Sequence, residues 1–119
     1  MRLRAARGAI RVPSDDGDAL LGSTERLLST VLQRNAIDQE DLVSIMFTAT
    51  EDLRSAFPAE AARRMGLGRV PLLCAQEIPV EGSMRGVIRV LLQFHTARGP
   101  AEVKHVYLDG AETLRDDLG

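Results

Sequence analysis

The chain has 119 residues, 45% apolar and 27% charged, with a net charge of −2, the balance of one globular domain spanning residues 1–119. That charge leaves no basic footprint for DNA or RNA, and 3% aromatic content leaves little with which to stack bases. No apolar stretch is long enough to span a bilayer, and the single cysteine, Cys74, excludes an internal disulfide and suits a reducing cytoplasm.

Residues 2–12 alternate well enough for a strand, with Leu3, Ala5 and Arg7 on one face and Arg2, Arg4 and Ala6 on the other. The start lacks an apolar signal-peptide core. Pro13-Ser14-Asp15-Asp16 supplies a breaker and helix-start residues. The stripe of Leu20, Leu27 and Val31 with Leu21, Leu28 and Leu32 then predicts a long helix ending near Asn35. Asp38 and Asp41 suggest a short helical turn before a strand over Leu42–Thr50, whose nearly continuous apolar run is that of a strand covered on both faces.

Phe57-Pro58 opens a shorter helix, with proline at its first position and Gly66 ending it. Val70–Cys74 reads as a buried strand, Glu81-Gly82-Ser83 as a turn, Val87–Thr96 as a long strand, Gly99-Pro100 as a turn and Val103–Leu108 as a last strand. The order β-α-β-α-β-β-β predicts α+β: a mixed sheet of about five strands with a long and a short helix on one side. Two helices cannot cover both faces of such a sheet, so another subunit is expected on the other.

Arg89 lies in the middle of Val87-Ile88-Arg89-Val90-Leu91-Leu92. A guanidinium buried in such a strand is costly unless an anion meets it. Either a carboxylate of the protein pairs with it, or a ligand brings the negative charge. His95 and His105 are not spaced with cysteine or acid as metal ligands would be, and no nucleophile triad or phosphate loop stands out.

Several segments form one pattern. They are Arg7-Gly8-Ala9, Thr48-Ala49-Thr50 with Asp52-Leu53, and Phe57-Pro58-Ala59, then Cys74-x-Gln76-Glu77 and Ile88-Arg89-Val90. His105-Val106-Tyr107-Leu108 and Leu114-Arg115-x-Asp117-Leu118 complete the set. In order and spacing this resembles the AroH class of monofunctional chorismate mutases, from residue 4 to residue 118. The resemblance implies a trimeric pseudo α/β-barrel with active sites in the clefts between subunits, and the Claisen rearrangement of chorismate to prephenate in aromatic amino-acid biosynthesis. A pericyclic reaction needs no cofactor, metal, nucleophile or general base. It needs a chair-like conformer and stabilisation of charge developing on the ether oxygen. The substrate's two carboxylates suit arginine forks.

By the resemblance, Arg89 is the cation beside the ether oxygen and Arg7 grips a substrate carboxylate. Glu77 accepts the ring hydroxyl with Cys74 nearby, and Tyr107 donates to the enolpyruvyl carboxylate. Phe57, Arg63 and Leu73 would come from the neighbouring subunit, and Leu114 and Arg115 from a tail that closes the site. On the residues alone, blander roles stay open. Arg89 could belong to a structural salt bridge, and Arg7 and Arg63 to solvated faces. Glu77 could be a loop acid, Cys74 and Leu73 core residues, Tyr107 a core residue with a wet tip, Phe57 a helix staple and Arg115 a solvated tail residue. Glu60 stands where some family members carry lysine, the Gly66-Leu67-Gly68 segment varies, and the tail ends at Gly119, shorter than in some relatives. A non-catalytic sensor of an anionic metabolite, or a deaminase acting on a carboxylate-bearing enamine or imine, is the alternative. Arg7 and Arg89 together fit a dianion better, and Cys74-x-Gln76-Glu77 fits a ring hydroxyl.

Overall fold

The computed structural model describes residues 1–118, with side chains described through Leu114. Five strands, β1 (Arg2–Arg11), β2 (Leu42–Ala49), β3 (Leu72–Gln76), β4 (Val87–Thr96) and β5 (Val106–Leu108), form one sheet in the order β3-β2-β4-β1-β5. β4 runs antiparallel to both β1 and β2, while β3 and β5 are parallel edge strands. The helices are α1 (Gly17–Arg34) and α2 (Ala59–Arg64), and a 3-10 segment, Ala111–Leu118, ends the described chain.

α1 begins where the sequence puts its start. Asp16 takes extended geometry and its carboxylate accepts the Ala19 N–H at 3.1 Å, satisfying one of the helix's orphan donors. Leu20, Leu21, Leu27, Leu28 and Val31 are buried against the sheet, each contributing roughly 1.5–3 kcal/mol relative to exposure. Gly8 on β1 makes the close approach possible. A Cβ there would stand 3.1 Å from Leu27 Cδ1, 3.1 Å from Val90 Cγ2 and 3.2 Å from Val31 Cγ2. The helix ends at Asn35, whose buried side chain donates to the Val31 and Lys104 carbonyls and accepts the Lys104 N–H at 2.7 Å. One amide thus caps α1 and ties down the chain entering β5.

The core lies between the helices and one face of the sheet. Ala6, Gly8 and Ile10 of β1, Ile45 and Phe47 of β2, and Ile88, Val90, Leu92 and Phe94 of β4 point into it. Within the chain β2 is therefore covered on one face and not on both, because its alternate residues emerge on the opposite side. The Leu3, Ala5 and Arg7 face of β1 is also the uncovered one, since core packing falls to the smaller Ala6, Gly8 and Ile10 set beneath α1. On this open face Leu91, Met46 (41% exposed) and Leu73 (58% exposed) adjoin across β4, β2 and β3, with Leu3 exposed further along β1, an apolar surface of the kind that marks interaction sites.

Three boundaries differ from the sequence reading. The third strand is Leu72–Gln76, not Val70–Cys74. Val70 instead donates its N–H to the Leu67 carbonyl in the preceding turn, and Pro71 has no N–H for a ladder. β5 is only Val106–Leu108, because a 3-10 turn over Pro100–Glu102 and the Asn35 clamp take up the residues before it. Pro58 caps α2 from just outside it and does not occupy its first turn.

Candidate active site

Arg89 projects from the open face at the centre of the sheet. Its register partners are Ala9 on β1 and Thr48 on β2, and Ala9 in turn pairs with Tyr107 on β5. Cross-strand partners share a face, so Thr48, Arg89, Ala9 and Tyr107 form one row across four strands. The Arg89 side chain is 40% exposed. The penalty expected for a charge buried in a strand is thus relieved by the strand having only one covered face.

Arg89 does have a carboxylate partner, and it is Glu77. Arg89 Nε donates to Glu77 Oε1 at 3.0 Å, and Thr48 Oγ1 donates to Glu77 Oε2 at 3.2 Å. The Glu77 N–H also bonds the Ala49 carbonyl at 2.9 Å, extending the line of β3 past its last ladder residue. Glu77 is thereby held at backbone and carboxylate with only 19% of its side chain exposed. Because Glu77 takes the Nε edge, the terminal nitrogens of the Arg89 fork remain for another anion. Thr48 is a site residue to which sequence reading assigned no role. Its signal was available in the outward alternation of β2, but became specific only with the register to Arg89.

Arg7 and Tyr107 reach the same place. With Thr48, Met46, Arg89 and Leu91 they border a cavity of about 190 Å³ on the open face. Arg89 and Thr48 also border a larger depression toward the Ile78–Arg85 loop. Two guanidinium groups and a phenol therefore border one cavity, and the fixed Glu77 carboxylate lines the adjoining depression, joined to it through Arg89 and Thr48. That set can bind a small molecule carrying more than one anionic group and a hydroxyl. Among the described residues no group of three or more His, Cys, Asp or Glu side chains is arranged to hold a metal ion.

The family model for chorismate mutase type I matches residues 3–118. The chain belongs to that family. It is 50% identical over 117 residues to chorismate mutase AroH of Thermus thermophilus, covering 98% of this chain and 96% of that protein. It is 37% identical over 119 residues to chorismate mutase AroH of Bacillus subtilis strain 168, covering 99% and 94%. The solved structure of a chorismate mutase from Clostridium thermocellum superposes with a TM-score of 0.91 at 41% identity, covering 92% of this chain and 98% of that one.

The remaining residues singled out by the likeness to chorismate mutases do not all gather around Arg89. Leu114 packs with Tyr107 and Met84 over Ala9, Val87 and Ala111, beside the row. Cys74 faces the other way: it is paired in register with the buried Phe47 and packs against the helix-side core. The alternation of β3 separates it from the Glu77 carboxylate, so the expectation that Cys74 assists Glu77 from beside the ring hydroxyl finds no support within this chain. Leu73 lies exposed on the open face of β3, Phe57 is 75% exposed, and Arg63 pairs with Glu60 at 3.0 Å on the surface of α2. None of these three borders either depression at Arg89. The Arg115 side chain lies outside the described residues.

Proposed function

We propose that the open face around Arg89 is where this chorismate mutase binds chorismate and rearranges it to prephenate. Arg7 and the free edge of Arg89 would take the two carboxylates and hold the enolpyruvyl chain over the ring. Arg89 would also sit by the ether oxygen as its C–O bond lengthens and charge accumulates there. Glu77, oriented by Thr48 and Arg89, would accept the ring hydroxyl, and Tyr107 would donate to the enolpyruvyl carboxylate. Every proposed role is positional or electrostatic, which matches a step that transfers no proton and forms no bond to the enzyme.

The observation that carries this reading is the convergence of Arg7, Arg89 and Tyr107 on one small cavity, with Glu77 already bonded to Arg89.

The working unit is proposed to be a homotrimer with sites between subunits. Support comes from the uncovered sheet face with exposed Leu3, Met46, Leu73 and Leu91, and from exposed Phe57. These would complete a neighbour's cleft, with Arg63, Leu73 and Phe57 meeting the Arg89 row of the adjacent chain. A cytoplasmic location is part of the same proposal. Among the described residues no helix is long and apolar enough to cross a membrane.

The test is loss of chorismate absorbance on adding purified protein, with prephenate identified as the product and particle mass measured by light scattering. Absence of turnover by folded protein overturns the assignment of this face, and a monomeric active species overturns the shared site.

A further inference from the structure

The Arg7 backbone N–H lies at the end of the β1–β5 ladder, just before its first register pair, Gly8 with Val106. It has no carbonyl partner on β5. Instead it donates to Nδ1 of His105 at 3.0 Å, a side chain 98 residues away in sequence. The imidazole here takes the place of a ladder carbonyl. For Nδ1 to accept, the ring must be neutral with its proton on Nε2.

The position matters because of what stands on either side. Arg7 supplies the donor and also one of the site's cations, and Tyr107 follows His105 by two residues on a strand only three residues long. β5 is an edge strand with a single neighbour. Asn35 anchors Lys104 to the end of α1, and His105 anchors the next residue to β1. Without the second anchor, only three ladder pairs join β5 directly to β1 and set the offset between Arg7 and Tyr107.

We propose that His105 is a positioning residue of the active site, fixing β5 against β1 so that Arg7 and Tyr107 meet the substrate together. This rests on the reading that both line the chorismate site.

The surroundings favour the neutral ring. Desolvation, and then the positive charge of Arg7, hold the His105 pKa below its ordinary value. No carboxylate pairs with His105 among the described residues. Lys104 is its chain neighbour, and Arg26 of α1 is engaged by Asp109 in the turn after β5. A base whose folded-state pKa is lowered keeps its contact fully above the ordinary imidazole value of about 6.5 and loses it as pH falls through the lowered value. The anchor is therefore intact at neutral pH and released in acid.

His105→Leu removes the acceptor, whereas His105→Asn restores one, because the asparagine Oδ1 stands near the place of Nδ1 and does not titrate. At pH 7.5 the leucine variant is expected to lose about tenfold in kcat/KM, mostly through KM, with asparagine recovering most of that loss. Between pH 5 and 7.5 the parent's KM should rise toward acid, and that of His105→Asn should stay flat. Arg7→Ala, measured in parallel, checks the underlying reading: an unchanged KM there refutes the site assignment itself. If Arg7→Ala is impaired but folded His105→Leu keeps kcat/KM within twofold of the parent, the positioning role is wrong. It is equally wrong if His105→Asn retains the parent's acid limb, a comparison that holds even where the leucine variant fails to fold.

Discussion

Replacing Arg89 with citrulline separates its charge from its shape, and two independent magnitudes can be set against the outcome. The first concerns stability. The ion pair to Glu77 involves side chains 40% and 19% exposed, so solvent screens it and its net worth is about 0–1 kcal/mol. Citrulline keeps an N–H toward Glu77, so Tm should fall by no more than about 5 °C. The second concerns rate. Half a unit of charge developing about 4 Å from the guanidinium, at an effective dielectric near 20, is stabilised by about 2 kcal/mol. Losing a whole preorganised donor costs about 2.7–4 kcal/mol elsewhere. The expected fall in kcat is therefore between about 30-fold and 1000-fold, with KM changing much less, because the interaction is strongest in the transition state. Arg89→Lys should also fail, since an ammonium group cannot bond the Glu77 carboxylate through one edge while presenting two donors at another. Steady-state kinetics alongside circular dichroism and thermal melts give the readouts. A folded citrulline variant with kcat within about tenfold of the parent would refute the electrostatic role and leave Arg89 as the structural partner of Glu77.

Thr48→Val deletes the hydroxyl bonded to Glu77 at 3.2 Å while keeping a branched β-residue. It should raise KM about tenfold, near 1.5 kcal/mol, the low end for a hydrogen bond to a charged group; an unchanged KM would leave Thr48 a bystander. The kcat profile should be flat between about pH 6 and 9, since the step transfers no proton and arginine stays charged throughout. A bell with limbs in that window, under conditions where chemistry limits, would point to acid–base catalysis. Mixing inactive Arg89→Ala chains with inactive chains changed at Phe57 and Arg63 should restore part of the activity. No recovery under demonstrated subunit exchange counts against a cleft built from two chains.

The elements were legible wherever one local rule acted alone. Asp16 caps α1 because a short carboxylate ahead of an apolar 3.6-residue stripe has few other uses, and Val87–Thr96 forms a strand over the range its composition suggests. What could not be read was which face of a strand lies inward when both faces carry apolar residues. In β1 the larger Leu3 lies outward while Ala6 and Gly8 lie inward, since the helix needs room more than the core needs volume there. The same ambiguity governed the site. Arg89 stood out as a charge in an apolar strand and Glu77 only through the resemblance, and their 3.0 Å bond depends on β3 and β4 each pairing with β2. The resemblance set Cys74 beside Glu77, whereas strand alternation within this chain turns it to the helix side, as the reading of a small buried residue has it. Thr48 and His105 lay within the quoted segments but carried no assigned role, for the converse reason. Each acts through a partner 29 or 98 positions distant, and a hydroxyl or imidazole shows no local sign of such use. The charges proposed to meet the substrate can thus be suspected from the strands that carry them. The neutral groups that aim those charges emerge only with the register, so residues such as Thr48 and His105 are where this site can be altered without touching its charge.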